Sequence, residues 1–364
     1  MTKTAEIAGA GFAGLTAATE LARRGWRVRV HERDDRPRAL GAGIFLWDNG
    51  LRVLDELGAL APVLARGYEA PLWEERDADG TKLGDRPLGT PRMITLTRGD
   101  LLHALLAVAA DAGVEVRTSS RVVAADPEGA LVTSDGRRWP ADLVVAADGL
   151  RSAARDGLDL VERHERFDFG LYRFLVPMRL VPERAGRWAN YVNYWDLQAR
   201  RRVLYVPCND EDLYLLLGAR VGDRALDTPL DAATWCASFP ALRPVLAELP
   251  ASPRYDRYEV LSLRAWSSGR VAVVGDAAHA MPPTLGQGAG TAMMNAINLA
   301  RTVTDHDDLP AALRLWEEEN RPVTRLTQEQ SVAGVRTLFP EPGRGRDGWT
   351  EEAVSIAGTR PRSR

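Results

Sequence analysis

The 364-residue chain is expected to fold as an α/β protein with two interleaved domains and helices at its C-terminal end. Three observations predict it. Residues 4–32 read as strand, glycine-rich turn, helix and strand, one βαβ unit. The runs 143–147 and 271–274 are continuously apolar, as parallel strands buried on both faces must be. Between about 165 and 262 the pattern changes to alternating, β-branched and aromatic segments broken by Pro, Gly and Asp, which predicts a mostly antiparallel sheet.

Taken in order, a short apolar strand ends at Gly9, a helix spans 12–24 and is capped by Gly25, and a strand follows over 26–32. An amphipathic helix is expected over 98–112, ended by Gly113, then short strands at 114–118, 121–125 and 130–134. In the antiparallel region strands are predicted at 171–179, 202–206, 212–219 and 254–263. Helices return at 288–303 and 309–337, the second kinked or divided by Pro322. The division this implies is 1–72, 98–164 and 263–308 for a Rossmann-like cofactor domain, and 73–97 and 165–262 for a substrate domain. C-terminal helices would fill 309–340, with a loosely held tail over 341–364.

Composition excludes several functions. The formal net charge is −3, so no basic field exists to attract nucleic acid or anionic lipid. No apolar run approaches the ~18 residues a membrane span needs. Cys208 and Cys236 are the only cysteines, which points to a reducing cytoplasm and no disulfide framework. The histidines, His31, His103, His164, His279 and His306, show no metal-ligand spacing. A homodimer is left open.

The chemistry begins at Gly9-Ala10-Gly11-Phe12-Ala13-Gly14, a G-x-G-x-x-G that follows a strand and opens a helix. The first glycine permits the tight turn, the second lets backbone approach a pyrophosphate, and the third lets helix pack close to strand. The helix N-terminus offers free N–H groups to the phosphates. Glu32 closes the next strand, where its carboxylate can accept both ribose hydroxyls, and Arg33 follows it. Downstream, Asp148-Gly149 follows one buried strand and Gly275-Asp276 another. Asp276 can bond a ribityl hydroxyl, and 286–290 offers unencumbered N–H groups at a helix start, suited to an electron-rich flavin edge. Asp148 and Asp276 each have a second reading as caps of the turns that follow them.

With these motifs in this order, the chain resembles the single-component flavoprotein aromatic hydroxylases over about residues 4–330. The resemblance implies FAD, reduced by NADH or NADPH, and insertion of one oxygen atom from O2 into a hydroxylated aromatic or N-heteroaromatic ring by way of a flavin C4a-hydroperoxide. The alternatives are a flavin-dependent reductase or oxidase on the same fold without oxygen transfer, and a non-catalytic flavin-binding protein. It implies that Gly9, Gly11, Phe12, Ala13, Gly14, Glu32 and Arg33 hold the adenosine end. Arg38, ahead of Gly41-Ala42-Gly43-Ile44, and Arg98 match family arginines that contact FAD. Asp148 and Gly149, in the motif 147–152, contribute to binding both FAD and the nicotinamide cofactor. Gly275 and Asp276 hold the ribityl chain and phosphate, and the Pro283 to Gly288 loop, with Gly286, Gln287 and Ala289, lies along the flavin ring.

Within that family the segments around Phe12, Gly41, Leu204 and Gly275 resemble a pyridine-ring oxygenase that also opens its ring. Arg202 and Tyr214 fall on two of its pocket positions, while Phe45 and Trp73 stand where it has tyrosines, removing two hydroxyls. Arg202, Tyr214 and Pro283 are therefore the candidate catalytic residues, with Phe45 and Trp73 completing the substrate pocket and Trp195 beside it. A pyridinecarboxylate is one ligand this implies. From the residues themselves, Arg202 shares a strand face with Leu204 and Val206, where its charge needs a partner such as a substrate carboxylate or phenolate. Arg200 and Arg201 read as a solvated basic edge. Tyr214 points opposite to Leu213 and Leu215, toward either a core or a pocket. His279 is expected to be structural.

Overall fold

The computed structural model describes residues 2–38, 42–182 and 186–339. Gly41, and the tail expected over 341–364, lie outside the described residues. A six-stranded sheet forms the centre of the first domain, ordered Ser267–Ser268, Val271–Val273, Leu143–Ala146, Thr4–Ala8, Arg27–His31, Glu115–Arg117. All its pairings are parallel except that of the two-residue edge strand. Ile7, Val145 and Ala272 are fully buried because helices cover both faces, and this is why these strands read as unbroken apolar runs.

The helices fall where capping and period place them. Phe12–Arg23 ends before Gly25, which takes a left-handed φ of 87°. Thr97 caps Arg98–Asp111 by accepting the Asp100 N–H at 3.0 Å. Helix Gly288–Asp305 lies against Phe12–Arg23, and the fully buried Arg301 ties the two by bonding Glu20 at 3.0 Å. Arg301 also pairs with Glu56 of a helix, Asp48–Glu56, that the sequence reading missed.

Of the kink or division expected at Pro322, the division does not occur: Leu309–Arg336 is a single helix. Pro322 and Glu318, whose carbonyl loses its donor, both lie on the exposed side, where water can replace the missing bond. The buried side is anchored throughout: Trp316 donates to the Asn295 carbonyl at 2.9 Å, and Thr324 accepts from Asn295 Nδ2 at 2.9 Å.

The second domain is a seven-stranded sheet, ordered Tyr255–Leu263, Val161–Pro177, Asp212–Ala219, Arg201–Pro207, Tyr191–Asp196, Leu72–Asp77, Lys82–Pro87. It is antiparallel except where Leu72–Asp77 runs parallel to Tyr191–Asp196. The expected strand at 171 begins ten residues earlier, at Val161, behind a charged stretch and two register shifts that hide its alternation. One face packs on Trp188, Trp235 and Phe239. The other carries Trp195, Leu204, Val206, Tyr214 and Leu216 and looks toward the first domain. A short ribbon of Gly43–Trp47 and Met93–Thr97 stands at that junction. No described helix is long and apolar enough to cross a membrane.

His279 has the structural role expected of it. It is 2% exposed, its Nε2 meets Asn295 Nδ2 at 3.0 Å, and its ring lies against Trp266. Burial pulls its pKa down to about 4. The unfolded chain therefore binds a proton that the folded chain refuses, and stability present above pH ~6.5 is lost as pH falls toward ~4. His279→Gln should flatten that loss by on the order of 2–3 kcal/mol. Thermal melts of both proteins between those pH values check it, and parallel curves would contradict it.

Candidate active site

Three glycines let three chain segments meet at one point. Gly9 has φ of 97°, and a Cβ there would lie 2.6 Å from the Ala147 carbonyl oxygen and 2.9 Å from the Asp148 Cα. A Cβ on Gly14 would lie 2.1 Å from the Gly9 carbonyl oxygen, and one on Gly275, at φ 62°, would lie 3.0 Å from the Ala13 Cβ. The motifs at 9–14, 148–149 and 275–276, far apart in sequence, are thus packed on one another. Gly11 differs: its φ is −81°, and a Cβ there would meet nothing within 4 Å. It borders open space at the helix N-terminus, where a pyrophosphate would lie.

Glu32 sits under this turn, accepting the Ala10 N–H at 3.2 Å and the Asp34 N–H at 3.1 Å. Arg33 is exposed, and the half-exposed Arg38 pairs with Asp34 at 3.0 Å. Asp148 accepts the Ala154 N–H at 3.2 Å and the Ser152 hydroxyl, so its capping reading is real. Gly149 follows at φ 85°.

Asp276 opens onto the cleft between the domains yet is walled in by protein. Burial raises its carboxyl pKa, and Arg98 and Arg173 oppose that rise. Arg98 lies over the Phe12 ring at 4.8 Å, and its Nε is a buried donor with no partner. Burial, and then the like charge of Arg173, make it less basic than usual. A guanidinium that keeps an unmet donor and a carboxylate that feels its charge fit the phosphates and ribityl hydroxyls of FAD.

The loop after Pro283 is tied down from both sides. Gly286 has φ of 65°, and a Cβ on it would press on the Phe45 Cβ at 3.2 Å. Trp47 Nε1 donates to the Leu285 carbonyl at 3.1 Å, and Asn49 Nδ2 to Gln287 Oε1 at 2.8 Å. Gln287 Nε2 is a second buried donor without a partner. Gly288 and Ala289 open the helix that follows, and a Cβ on Gly288 would touch Met281 Cγ at 3.9 Å. Pro283 is exposed at the cleft, and Thr284 bonds the Ser331 carbonyl of the last helix at 2.7 Å.

Of the expected pocket residues, Trp73, Arg202 and Tyr214 belong to the seven-stranded sheet, and Phe45 meets them from the Gly43–Trp47 ribbon. The ring of Phe45 is 5.7 Å from that of Tyr214 and 5.4 Å from that of Tyr191, which stacks on Trp73 at 3.8 Å. Gly43 serves this packing, since a Cβ there would lie 2.6 Å from the Tyr214 Cβ. Arg202 is 7% exposed and lies over Trp195 at 4.9 Å. The protein supplies it with an acceptor, though a neutral one: Asn193 Oδ1 accepts from Arg202 Nε at 3.0 Å and from Nη2 at 2.6 Å. Arg201 is no solvated edge residue but a two-toothed partner of Asp223 at 2.8 Å, while Arg200 is exposed beside Phe339.

Burial raises the phenol pKa values of Tyr191 and Tyr214, so both stay protonated donors at neutral pH. Burial opposes the charge of Arg173, but Tyr214 and Asp256 more than offset it, and that guanidinium is more basic than usual. Trp47, Asn49, Glu75, Tyr191, Asn193 and Arg173 belong to the site and were not singled out from sequence. The alternation Tyr191-Val192-Asn193-Tyr194-Trp195 was the available signal for two of them, Tyr191 and Asn193. Among the described residues no group of three metal-ligating side chains occurs.

Residues 1–325 match the family described as FAD binding domain. The chain is 45% identical over 333 residues to a 2-heptyl-3-hydroxy-4(1H)-quinolone synthase of Mycobacteroides abscessus, covering 90% of this chain and 88% of that protein. It is 30% identical over 355 residues to the 6-hydroxynicotinate 3-monooxygenase of Bordetella bronchiseptica, covering 91% and 90%. Among solved structures it resembles a tetrameric form of 2-methyl-3-hydroxypyridine-5-carboxylic acid oxygenase. That likeness has a TM-score of 0.89 and 40% identity, over 98% of this chain and 96% of that one.

The glycines should separate cofactor binding from folding. Gly14→Ala overfills a contact already closed by backbone and should cost about 1–3 kcal/mol of stability. Gly11→Val leaves the fold intact but fills the pyrophosphate space, and should lower FAD affinity about tenfold or more. Flavin absorbance per protein and melting temperature check both. A Gly11→Val protein with full flavin content would show that the turn is misread.

Proposed function

Because the chain belongs to the FAD-binding family and is an FAD-dependent monooxygenase of the aromatic-hydroxylase type, we propose that its substrate is an uncharged, oxygenated N-heteroaromatic ring of the 4(1H)-quinolone class. One oxygen atom would enter the ring carbon next to the carbonyl. The observation that carries this reading is the internal pairing of Arg202 with Asn193. A site built for a pyridinecarboxylate would leave that guanidinium for the substrate, whereas here its best acceptor is already a neutral amide. The likeness to the Mycobacteroides quinolone synthase supports the same class.

The ring chemistry agrees. In a 4(1H)-quinolone the ring nitrogen pushes electron density through the C2=C3 bond toward the carbonyl, so C3 is the electron-rich carbon an electrophilic oxygen would meet. When bound, FAD supplies electron transfer from NADH or NADPH and the activation of O2. Phe12, Ala13 and Arg98 would hold its phosphates, Glu32 its adenosine ribose and Asp276 its ribityl chain. The loop from Pro283 to Gly288, with Gln287 Nε2, would face its ring.

The remaining work falls to the sheet face. Phe45, Trp73 and Tyr191 form aromatic walls that exclude water and hold a flat ring. The protonated Tyr214 hydroxyl can donate to the ring oxygen and so fix which carbon faces the cofactor. With Phe45 and Trp73 lacking hydroxyls to order water, the ring should be left intact after oxygenation.

Incubating the holoenzyme with reduced nicotinamide, O2 and 2-heptyl-4(1H)-quinolone should give a product heavier by one oxygen atom, with the bicycle retained. Peroxide released in proportion to nicotinamide consumed, with the quinolone unchanged, would instead favour an oxidase. Arg202→Met should raise the dissociation constant of the quinolone by about tenfold, through loss of the wall that Asn193 and Trp195 complete, while FAD content stays normal. Titration of the flavin spectrum checks it, and an unchanged constant would remove Arg202 from the pocket.

A further inference from the structure

Glu75 stands two residues after Trp73 and so shares its face of the strand Leu72–Asp77; the ladder shifts register only after Glu75. The parallel partner of Glu75 is Asn193, as Tyr191 is the partner of Trp73. Its carboxylate gathers three donors from the pocket wall. Oε1 accepts from Trp73 Nε1 at 2.6 Å and from Asn193 Nδ2 at 3.1 Å, and the other oxygen accepts from Trp195 Nε1.

Asn193 is only 1% exposed and is oriented by both neighbours. Its carbonyl oxygen faces the Arg202 guanidinium and its NH2 faces the Glu75 carboxylate, the one amide orientation that satisfies both. Arg202, Asn193 and Glu75 therefore form a line of cation, dipole and anion. On the other side, Arg86 lies 4.7 Å from the centre of the Trp73 ring. Tyr191 and Tyr214 stay neutral, so Glu75 is the negative group of this wall, opposite Arg86 and Arg202.

We infer that Glu75 is a specificity-determining residue, whose carboxylate biases the site toward uncharged N-heteroaromatic rings and against ring carboxylates. A substrate carboxylate approaching Arg202 meets a carboxylate the protein has already installed there. A neutral ring does not, and it finds the two indoles held in place by the same group. The inference rests on the quinolone reading for its choice of ring.

The test uses the FAD-loaded enzyme and a matched pair of ligands: 2-methyl-4(1H)-quinolone and 4-oxo-1H-quinoline-2-carboxylate, which differ in a methyl against a carboxylate. Dissociation constants come from titrating the flavin absorbance, with no turnover required. The wild-type protein should bind the neutral ring more tightly. Glu75→Gln, which keeps the shape and both arginines, should shift the ratio of the two constants toward the carboxylate by about tenfold or more. Glu75→Asp, which keeps the charge, should restore most of the wild-type ratio.

A wild-type protein that binds the carboxylate as tightly as the neutral ring overturns the inference, whether or not either variant folds. So does a Glu75→Gln ratio equal to the wild-type one. If the ratios shift as expected while neither 2-methyl-4(1H)-quinolone nor its 2-heptyl homologue is oxygenated, the Glu75 assignment stands and the quinolone reading falls.

Discussion

The constraint on which the rest depends is steric: three turns must pass through one point that cannot hold a side chain. Gly9 lies against Ala147 and Asp148, Gly14 against Gly9, and Gly275 against Ala13. A single Cβ at Gly9 or Gly14 would overlap backbone, which has nowhere to move in a close-packed core. These contacts hold the ends of Thr4–Ala8, Leu143–Ala146 and Val271–Val273 in one row, as neighbouring parallel strands of one sheet. The open space beside Gly11, near the carboxylate of Asp276 and the guanidinium of Arg98, is where the proposed reading puts the cofactor.

The opposite wall depends on a different device. The strand Leu72–Asp77 leaves the first domain's sequence and inserts beside Tyr191–Asp196, parallel to it, in a sheet that is otherwise antiparallel. That insertion brings Trp73 and Glu75 to Tyr191, Asn193 and Trp195 across more than a hundred residues. Arg202 meets Asn193 and Asn193 meets Glu75, so a cation, an amide dipole and a carboxylate follow one another along this wall. The last helix then braces both walls, bonding the Pro283–Gly288 loop at Thr284 and placing Phe339 against Trp195.

Much of this was legible in the sequence, and for reasons that are local. A Gly-rich turn after a strand, an acid at the end of the next strand, and a glycine-aspartate pair after a buried strand each follow from neighbouring residues and their backbone needs. The same holds for Tyr214, whose alternation with Leu213 and Leu215 assigns it to one face, and for Arg202 with Leu204 and Val206. Pro322 misled because its effect on the helix depends on which side meets solvent. Arg201 misled because its partner, Asp223, is supplied by a turn beyond the neighbouring strand.

The sequence by itself therefore determined the class of fold, the cofactor motifs and the side of each strand that a pocket residue occupies, since periodicity and turn chemistry are written in adjacent positions. Only the tertiary structure decided what those residues face. Glu75 and Asn193 sit in unremarkable local contexts, and Arg202 reads as a cation awaiting an anion until Asn193 is seen beside it. Which groups share a buried wall depends on strand order and register, set by long-range pairing and packing that no local pattern encodes.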